Sequence, residues 1–411
     1  MAHHRSSGGE SIRSRGVSRG VVAALLSILL IAAVVVTWQD LGDQIDRQAE
    51  EAAAQCVEGR AEVPIVADPD IAPGLAAIAS KLAESAPVVR DRCVTVAVRP
   101  GDAKITLDGL AGTWDTASMG ARPAAWVPQS SVWSADLAAA KPDAIEGDTR
   151  SLVSTPVVLA VSPALNDAVG ADLDWSQIPT LQRRDNSLAD VGLPGWGSLR
   201  MAMPIGAQSD ASALAAQAVA TRVTRTSGPL TAADAESPRV SSSVRAMLEG
   251  APLSPDGTPK GAATLIADAP DPAKAAIHVV PITEQQLFQM TRADTRPRLA
   301  ELVPGGPTPI ADYPIVRLSG TDVADFAADA VAEFIEFASQ PEQLQLLTEL
   351  GFRGAAPMPK PTPTVSFPRT PNPMPTPENG AIVAINRLVY GPASVPASSS
   401  APAVPSGTAG S

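Results

Sequence analysis

Apolar positions along this chain fall into two alternating patterns. Short runs of β-favouring residues at Glu62–Ala67, Cys93–Val98, Ala124–Val127, Thr155–Val161, Leu199–Pro204, Ala276–Pro281 and Ile315–Leu318 predict strands. Between them the apolar spacing becomes helical. Ile71, Leu75, Ile78 and Leu82 predict a helix over Ile71–Ser85, and a second is expected over Ser209–Val223. A third, Asp322–Leu350, carries Val323, Phe326, Ala327, Ala330, Val331, Phe334, Ile335 and Phe337 on one face, with Gly351 as its stop. Strands that alternate with helices predict an α/β fold with mostly parallel sheets. The first strand, helix and strand have the length of a right-handed parallel unit.

One apolar run is of another kind. Val21–Trp38 is uncharged, and eighteen residues at about 1.5 Å each cover roughly 27 Å, close to the hydrocarbon thickness of a bilayer. Arg13, Arg15 and Arg19 precede it and Asp40, Asp43 and Asp46 follow. The expected orientation therefore has the N-terminus inside and the body outside, in the cytoplasmic membrane as a single-pass protein. Thr37-Trp38-Gln39-Asp40 offers no small-x-small cleavage site, which favours an anchor over a cleaved signal peptide. The expected divisions are a cytoplasmic tail at 1–19, a transmembrane helix at 20–38, a helical stalk at 39–58, a globular body at 59–355 and a tail at 356–411. Nine of the twenty-one residues from Pro357 to Pro377 are proline, which predicts extended polyproline II. The apolar cluster Ala381–Tyr390 could dock on the body. The rest of the tail is expected to be mostly disordered.

Charge narrows the partners. The formal net charge is −12, and residues 1–38 hold four arginines against one glutamate, leaving −15 for everything beyond. So acidic a body has no electrostatic reason to bind nucleic acid or an anionic membrane surface. The histidines are His3, His4 and His278, and the two cysteines, Cys56 and Cys93, fit no zinc pattern, so no metal or cofactor is expected. Outside the cytoplasm two lone cysteines usually pair, and both precede strands at one end of the first parallel unit. Two unrelated buried thiols are the alternative.

Four segments occur together in a telling order: Ala124–Trp133, Ser151–Ala160, Ala311–Val316, and the closing helix with Gly351-Phe352-Arg353. This order resembles the extracellular solute-binding domain of actinobacterial envelope proteins, a relative of type 2 periplasmic binding proteins such as the molybdate binder. The resemblance covers about residues 59–355. It implies two lobes, near 59–126 with 276–355 and about 155–265, that close on a ligand. Many such proteins continue into a von Willebrand factor A domain, but its Asp-x-Ser-x-Ser metal motif is absent from this sequence. Oxyanion binders of that family place serines in the first loop. Here it reads Asp68-Pro69-Asp70, and two buried carboxylates would repel an anion by several kcal/mol. A cationic, neutral or sugar-like ligand, or none, is implied instead.

Mapped onto the resemblance, the candidate ligand-binding residues are Asp68, Asp70, Ser130, Ser131, Ser154, Thr155, Ser209, Ser212 and Tyr313. Each has a plainer reading. Asp70 could cap the helix that starts at Ile71, Ser209 or Asp210 the helix that follows them, Ser130-Ser131 could form a turn, and Tyr313 could pack. Catalysis lacks its machinery. There is no Gly-x-Ser-x-Gly turn, no phosphate-binding Gly-x-x-x-x-Gly-Lys loop, and His278 lies in an apolar run. Two functions stand: a receptor holding a small molecule between its lobes, or an envelope scaffold with a vestigial cleft that engages protein partners.

Overall fold

Strand β1 (Arg60–Ala67) runs parallel to β3 (Arg92–Pro100), with Arg60 opposite Cys93 and Ala67 opposite Pro100. These coordinates are a computed structural model that describes residues 56–368 and 372–391. The expected anchor, the expected stalk before Cys56 and the tail beyond 391 lie outside the described residues; among the described residues no helix is long and apolar enough to cross a membrane. The described residues from Arg60 onward form one compact unit. Cys56 and Cys93 are joined in a disulfide.

Helix α1 (Ala72–Glu84) crosses from β1 to β3. It buries Leu75, Ile78 and Leu82 on the sheet, each worth about 1.5–3 kcal/mol. After α2 (Ala103–Ala111), strand β4 (Ala125–Val127) pairs parallel to β1. Helix α3 (Ser131–Ala140) follows it. With the short β2 (Val88–Val89), β5 (Arg150–Ser151) and the returning β10 (Pro314–Arg317), the first lobe has a six-stranded sheet ordered β2-β3-β1-β4-β10-β5. Only β3, β1 and β4 are mutually parallel. β2, β10 and β5 join antiparallel.

The second lobe departs further from expectation. Its central strand β6 (Thr155–Val161) pairs antiparallel with β7 (Val279–Thr283), β8 (Ala300–Leu302) and β9 (Ile310–Ala311). Mostly parallel sheets are therefore incorrect; the sheets are mixed. The lobe boundary is corrected as well, because β7, β8 and β9 place residues 279–311 in the second sheet, not the first. Strand β6 is buried throughout its length, with helices covering both faces. Its two-residue period sends Leu159 and Val161 into one apolar cluster and Val158 and Ala160 into another. A continuous apolar run cannot tell a parallel strand from an antiparallel one buried on both faces. Leu199–Pro204 forms no strand, only a bridge between Met201 and Val279.

The remaining longer helices are α4 (Pro163–Val169), α5 (Ile178–Arg183), α6 (Asp210–Thr224), α7 (Pro238–Leu248), α8 (Pro259–Ala267), α9 (Glu284–Thr291), α10 (Asp325–Ala338), α11 (Pro341–Thr348) and α12 (Asn379–Val389). The alanine-rich α6 is buried around its circumference. Ala211, Ala213 and Leu214 join the core of the first lobe, while Ala215, Ala218 and Val219 join that of the second. The single helix expected over 322–350 is two, because Pro341 has no N–H and its ring would clash with an upstream carbonyl.

Where the tail is described, it packs on the body, as the apolar cluster Ala381–Tyr390 allowed. Val365 is fully buried, and Thr308 pairs with the extended chain through Thr308 N to Asn372 O (2.8 Å) and Met374 N to Thr308 O (2.7 Å). Residues 379–389 then form α12, which buries Ala381, Ile382, Ile385 and Val389 against α3, α6 and α7. Burial of this apolar face offsets the chain entropy that its proline-rich approach made appear decisive.

Candidate functional site

Four helix starts meet at the crease between the lobes. The loop after β1 leads into α1, Ser130 caps α3, Asp210 opens α6 and Thr283 caps α9. Each start leaves unpaired N–H groups and a partial positive charge, a setting that attracts anions. The chain fills that role with its own carboxylates. Asp210 accepts from Ser130 Oγ and from Trp133 Nε1, both at 2.6 Å. Asp312 accepts from the backbone N–H of Ser131 at 2.7 Å and from the Ser131 hydroxyl.

Asp70 spans the lobes. One carboxylate oxygen lies 2.6 Å from Lys260 Nζ on α8; the other accepts from Gln286 Nε2 on α9 at 2.8 Å and from Gln129 Nε2 at 3.4 Å. The Gln286 amide is fixed at both ends, since its oxygen accepts from Thr283 N at 3.4 Å in a capping box and its nitrogen also reaches Gln208 O at 3.1 Å. Gln129 is held in the same way, with its oxygen accepting the Asp210 backbone N–H at 3.1 Å.

Burial governs the electrostatics here. Burial first, and then the charge of Asp70, push Asp68 well above the usual carboxylate range and favour its neutral form. Asp210 is raised to about 7, mainly by burial, against the opposing hydrogen bonds from Ser130 and Trp133. Burial also raises Asp312. Tyr313 packs edge-on to Phe352 with centroids 4.9 Å apart. Burial, followed by Asp68 and Asp70, drives the pKa of its hydroxyl upward.

The structure brings Asp68, Asp70, Ser130 and Tyr313 to this crease, with Ser131 beside them on Asp312. The other four candidates sit differently. Ser154 pairs through its backbone with Arg353 (2.8 Å in each direction), in the segment leading into β6. Thr155 Oγ1 accepts the Gln285 N–H at 3.1 Å at the start of α9. Ser209 donates to Gly206 O at 2.5 Å and makes no side-chain cap, while its carbonyl accepts from Tyr390 Oη at 3.3 Å. Ser212 is buried in α6, its hydroxyl without a hydrogen-bond partner among the described residues. Asp70 caps nothing. Ile71 occupies the N-cap position of α1 without a side-chain bond, and Asp68 Oδ1 instead accepts from Asp70 N at 2.9 Å.

Sequence reasoning missed Gln129, Lys260, Gln286 and Asp312, and credited Asp210 only as a cap. A signal existed for Gln286, because Thr283-Glu284-Gln285-Gln286 is a capping-box pattern that announces a helix start. Nothing local marked Lys260. Two further polar clusters involve other side chains. Arg353 grips the buried Glu284 with two hydrogen bonds, at 2.8 and 2.5 Å, while burial and then the Glu284 charge raise Glu301 to about 8. His278 is buried against Trp196 and Arg200, and burial and then the Arg200 charge lower it to about 4. Among the described residues no group of three or more His, Cys, Asp or Glu side chains could hold a metal ion.

No family model matches the chain. Two curated relatives, uncharacterized proteins from two strains of Mycobacterium tuberculosis, are each 38% identical over 374 residues, covering 90% of this chain. The chain spans about half the length of these relatives, 53% in each case. Among solved structures, the chain is similar to the ferric binding protein from Campylobacter jejuni, with a TM-score of 0.51, 11% identity, and coverage of 80% of this chain and 97% of the other. Iron-bound HitA from Pseudomonas aeruginosa gives 0.51 at 12% identity, covering 80% and 98%. An ABC transporter structure from Clostridium perfringens gives 0.50 at 9% identity, also covering 80% and 98%. At such identities the likeness establishes the fold: a mixed α/β, two-domain architecture of the periplasmic-binding-protein type.

Proposed function

We propose that this chain is an extracytoplasmic scaffold of solute-binding-protein fold, tethered by Val21–Trp38, whose interlobe crease is occupied by its own side chains. One observation carries the reading: Asp70 holds Lys260 at 2.6 Å and Gln286 at 2.8 Å across the lobes, so the polar groups that would face a solute already face each other. The docked α12 is fastened to α3 of the first lobe, with Asn386 Nδ2 donating to Val132 O at 2.8 Å and to Asp136 Oδ2 at 2.9 Å.

The test is a pair of measurements on the full chain. A thermal-shift screen across sugars, amino acids, polyamines and oxyanions should give no stabilisation that depends on the crease. Crosslinking in intact cells should return protein partners that survive Asp70→Asn and Ser130→Ala. Loss of those partners in both variants, with fold and abundance unchanged, overturns the scaffold reading.

A second reading rests on the same aspartates. The Lys260 ammonium stands where the amine of a cationic solute would stand, beside Asp70 and near Asp68 and Asp210. Under that reading, Lys260→Ala opens a place that an added diamine refills, restoring thermal stability in a saturable way. The scaffold reading expects no such rescue.

A further inference from the structure

The far end of α6 carries the opposite chemistry. Helix α6 begins in the acidic crease at Asp210 and ends about 20 Å away, fifteen residues on, at an open cleft of about 910 Å³. The cleft is lined by three guanidinium-bearing residues, Arg222, Arg225 and Arg239, together with the hydroxyl side chains of Ser176, Thr226 and Ser227. No carboxylate side chain is among its lining residues. In a chain of net charge −12, such a concentration of cations is unusual.

The plainest account is that arginines complement the negative C-terminal end of a helix. It serves for Arg222 and Arg225, the last turn and C-cap of α6. Arg239 resists it. That residue is the second of α7, at a positive helix end where a cation is disfavoured, and it adds a third like charge to the same cleft. Existing partners neutralise only one of the three. Arg222 is paired with Asp174 at 2.7 Å, Arg239 donates to the Val223 carbonyl at 3.2 Å, and Arg225 has neither ion pair nor hydrogen bond among the described residues. Arg225 also holds a left-handed backbone (φ +58°), a conformation that a non-glycine residue adopts at some cost. Two uncompensated planar guanidiniums flanked by hydroxyl donors make a recognition set for a tetrahedral oxyanion.

We propose that this cleft is a binding site for a phosphate-bearing ligand, with Arg225 and Arg239 as its principal contacts. Its volume lies in the upper part of the range for small-molecule pockets and exceeds what an isolated inorganic phosphate fills, so the expected ligand carries its phosphate on a larger body. The site is separate from the crease at the start of α6, and its existence does not depend on whether that crease binds anything.

The test is calorimetric titration of the full chain with pyrophosphate, alongside citrate as a carboxylate arm and phosphatidylglycerol-containing vesicles as a lipid arm. Saturable pyrophosphate binding is expected, weakened about ten-fold or more in the double variant Arg225→Gln/Arg239→Gln and retained in Lys104→Glu, a charge change on α2. Arg225→Lys/Arg239→Lys should fall between, because it keeps the charges and loses the forks. Vesicle binding that is lost in the same double variant, with pyrophosphate weak, assigns the phosphate to a lipid headgroup and supports the site. Absence of both, binding of citrate alone, or an equal loss in Lys104→Glu overturns it. Circular dichroism and thermal midpoints of each variant separate lost binding from lost folding.

Discussion

The Lys260 ammonium lies 2.6 Å from a carboxylate oxygen of Asp70, and that contact joins a helix of the second lobe to the first loop of the first. The Asp70 side chain is only 6% exposed, whereas Lys260 retains 36%. Lys260→Ala should therefore lower unfolding free energy by about 1–3 kcal/mol, less than for a fully buried pair because water still screens the lysine. Asp70→Asn should cost a similar amount, and the double variant less than the sum. Urea unfolding of the four proteins checks this. Additive losses would mean that the two groups do not act on each other.

Asp210 gives a pH dependence with a definite sign. Its carboxyl titrates at about 7 in the folded chain, raised by burial, against an ordinary 3.8. Between those values the folded state holds more protons than the unfolded one. Stability from this group is therefore full below about pH 4, declines as pH rises, and is lost by about pH 7. Asp210→Asn keeps an acceptor for Trp133 and can donate to Ser130. It should flatten this slope while leaving stability near pH 8 unchanged or higher. Denaturant midpoints from pH 4 to 8 measure it, and an unaltered slope counts against the assignment.

Glu301 behaves in the same direction over a window reaching higher. Burial and the adjacent Glu284 raise it to about 8, so its stabilising contribution fades between roughly pH 4.5 and 8. Glu301→Gln should leave the protein comparatively more stable at pH 8–9, read from thermal midpoints in matched buffers.

The docked tail makes a larger claim. Ile385 is fully buried on the inner face of α12, and Ile385→Ala should cost about 2–4 kcal/mol through lost burial and the cavity left behind. A tail that merely trailed from the body would give a change near zero. Equilibrium denaturation distinguishes the two.

Reducing the disulfide between Cys56 and Cys93 should destabilise the body by about 3–4 kcal/mol in the chain-entropy account of a loop of this length. Thermal unfolding with and without a phosphine reductant reads this, and Cys56→Ser/Cys93→Ser should reproduce the reduced value.

Local chemistry decided much of this protein without help from distance. The runs at Glu62–Ala67, Cys93–Val98 and Thr155–Val161 became β1, β3 and β6, and the stripe Leu75, Ile78 and Leu82 became the buried face of α1, because side-chain period alone fixes which residues face a core. Asp68, Asp70 and Ser130 could be marked as candidates because the resemblance places ligand contacts where strands hand over to helices. Three things were decided only by the tertiary fold. Strand direction in the second sheet was one, since β6 is covered on both faces and its apolar run reads alike in either sense. The tail was another: whether Ile382 and Ile385 find apolar surface depends on α3, α6 and α7, all distant in sequence. The last was the partner of Asp70, because Lys260 lies 190 residues away in sequence and a long-range ion pair leaves no local pattern.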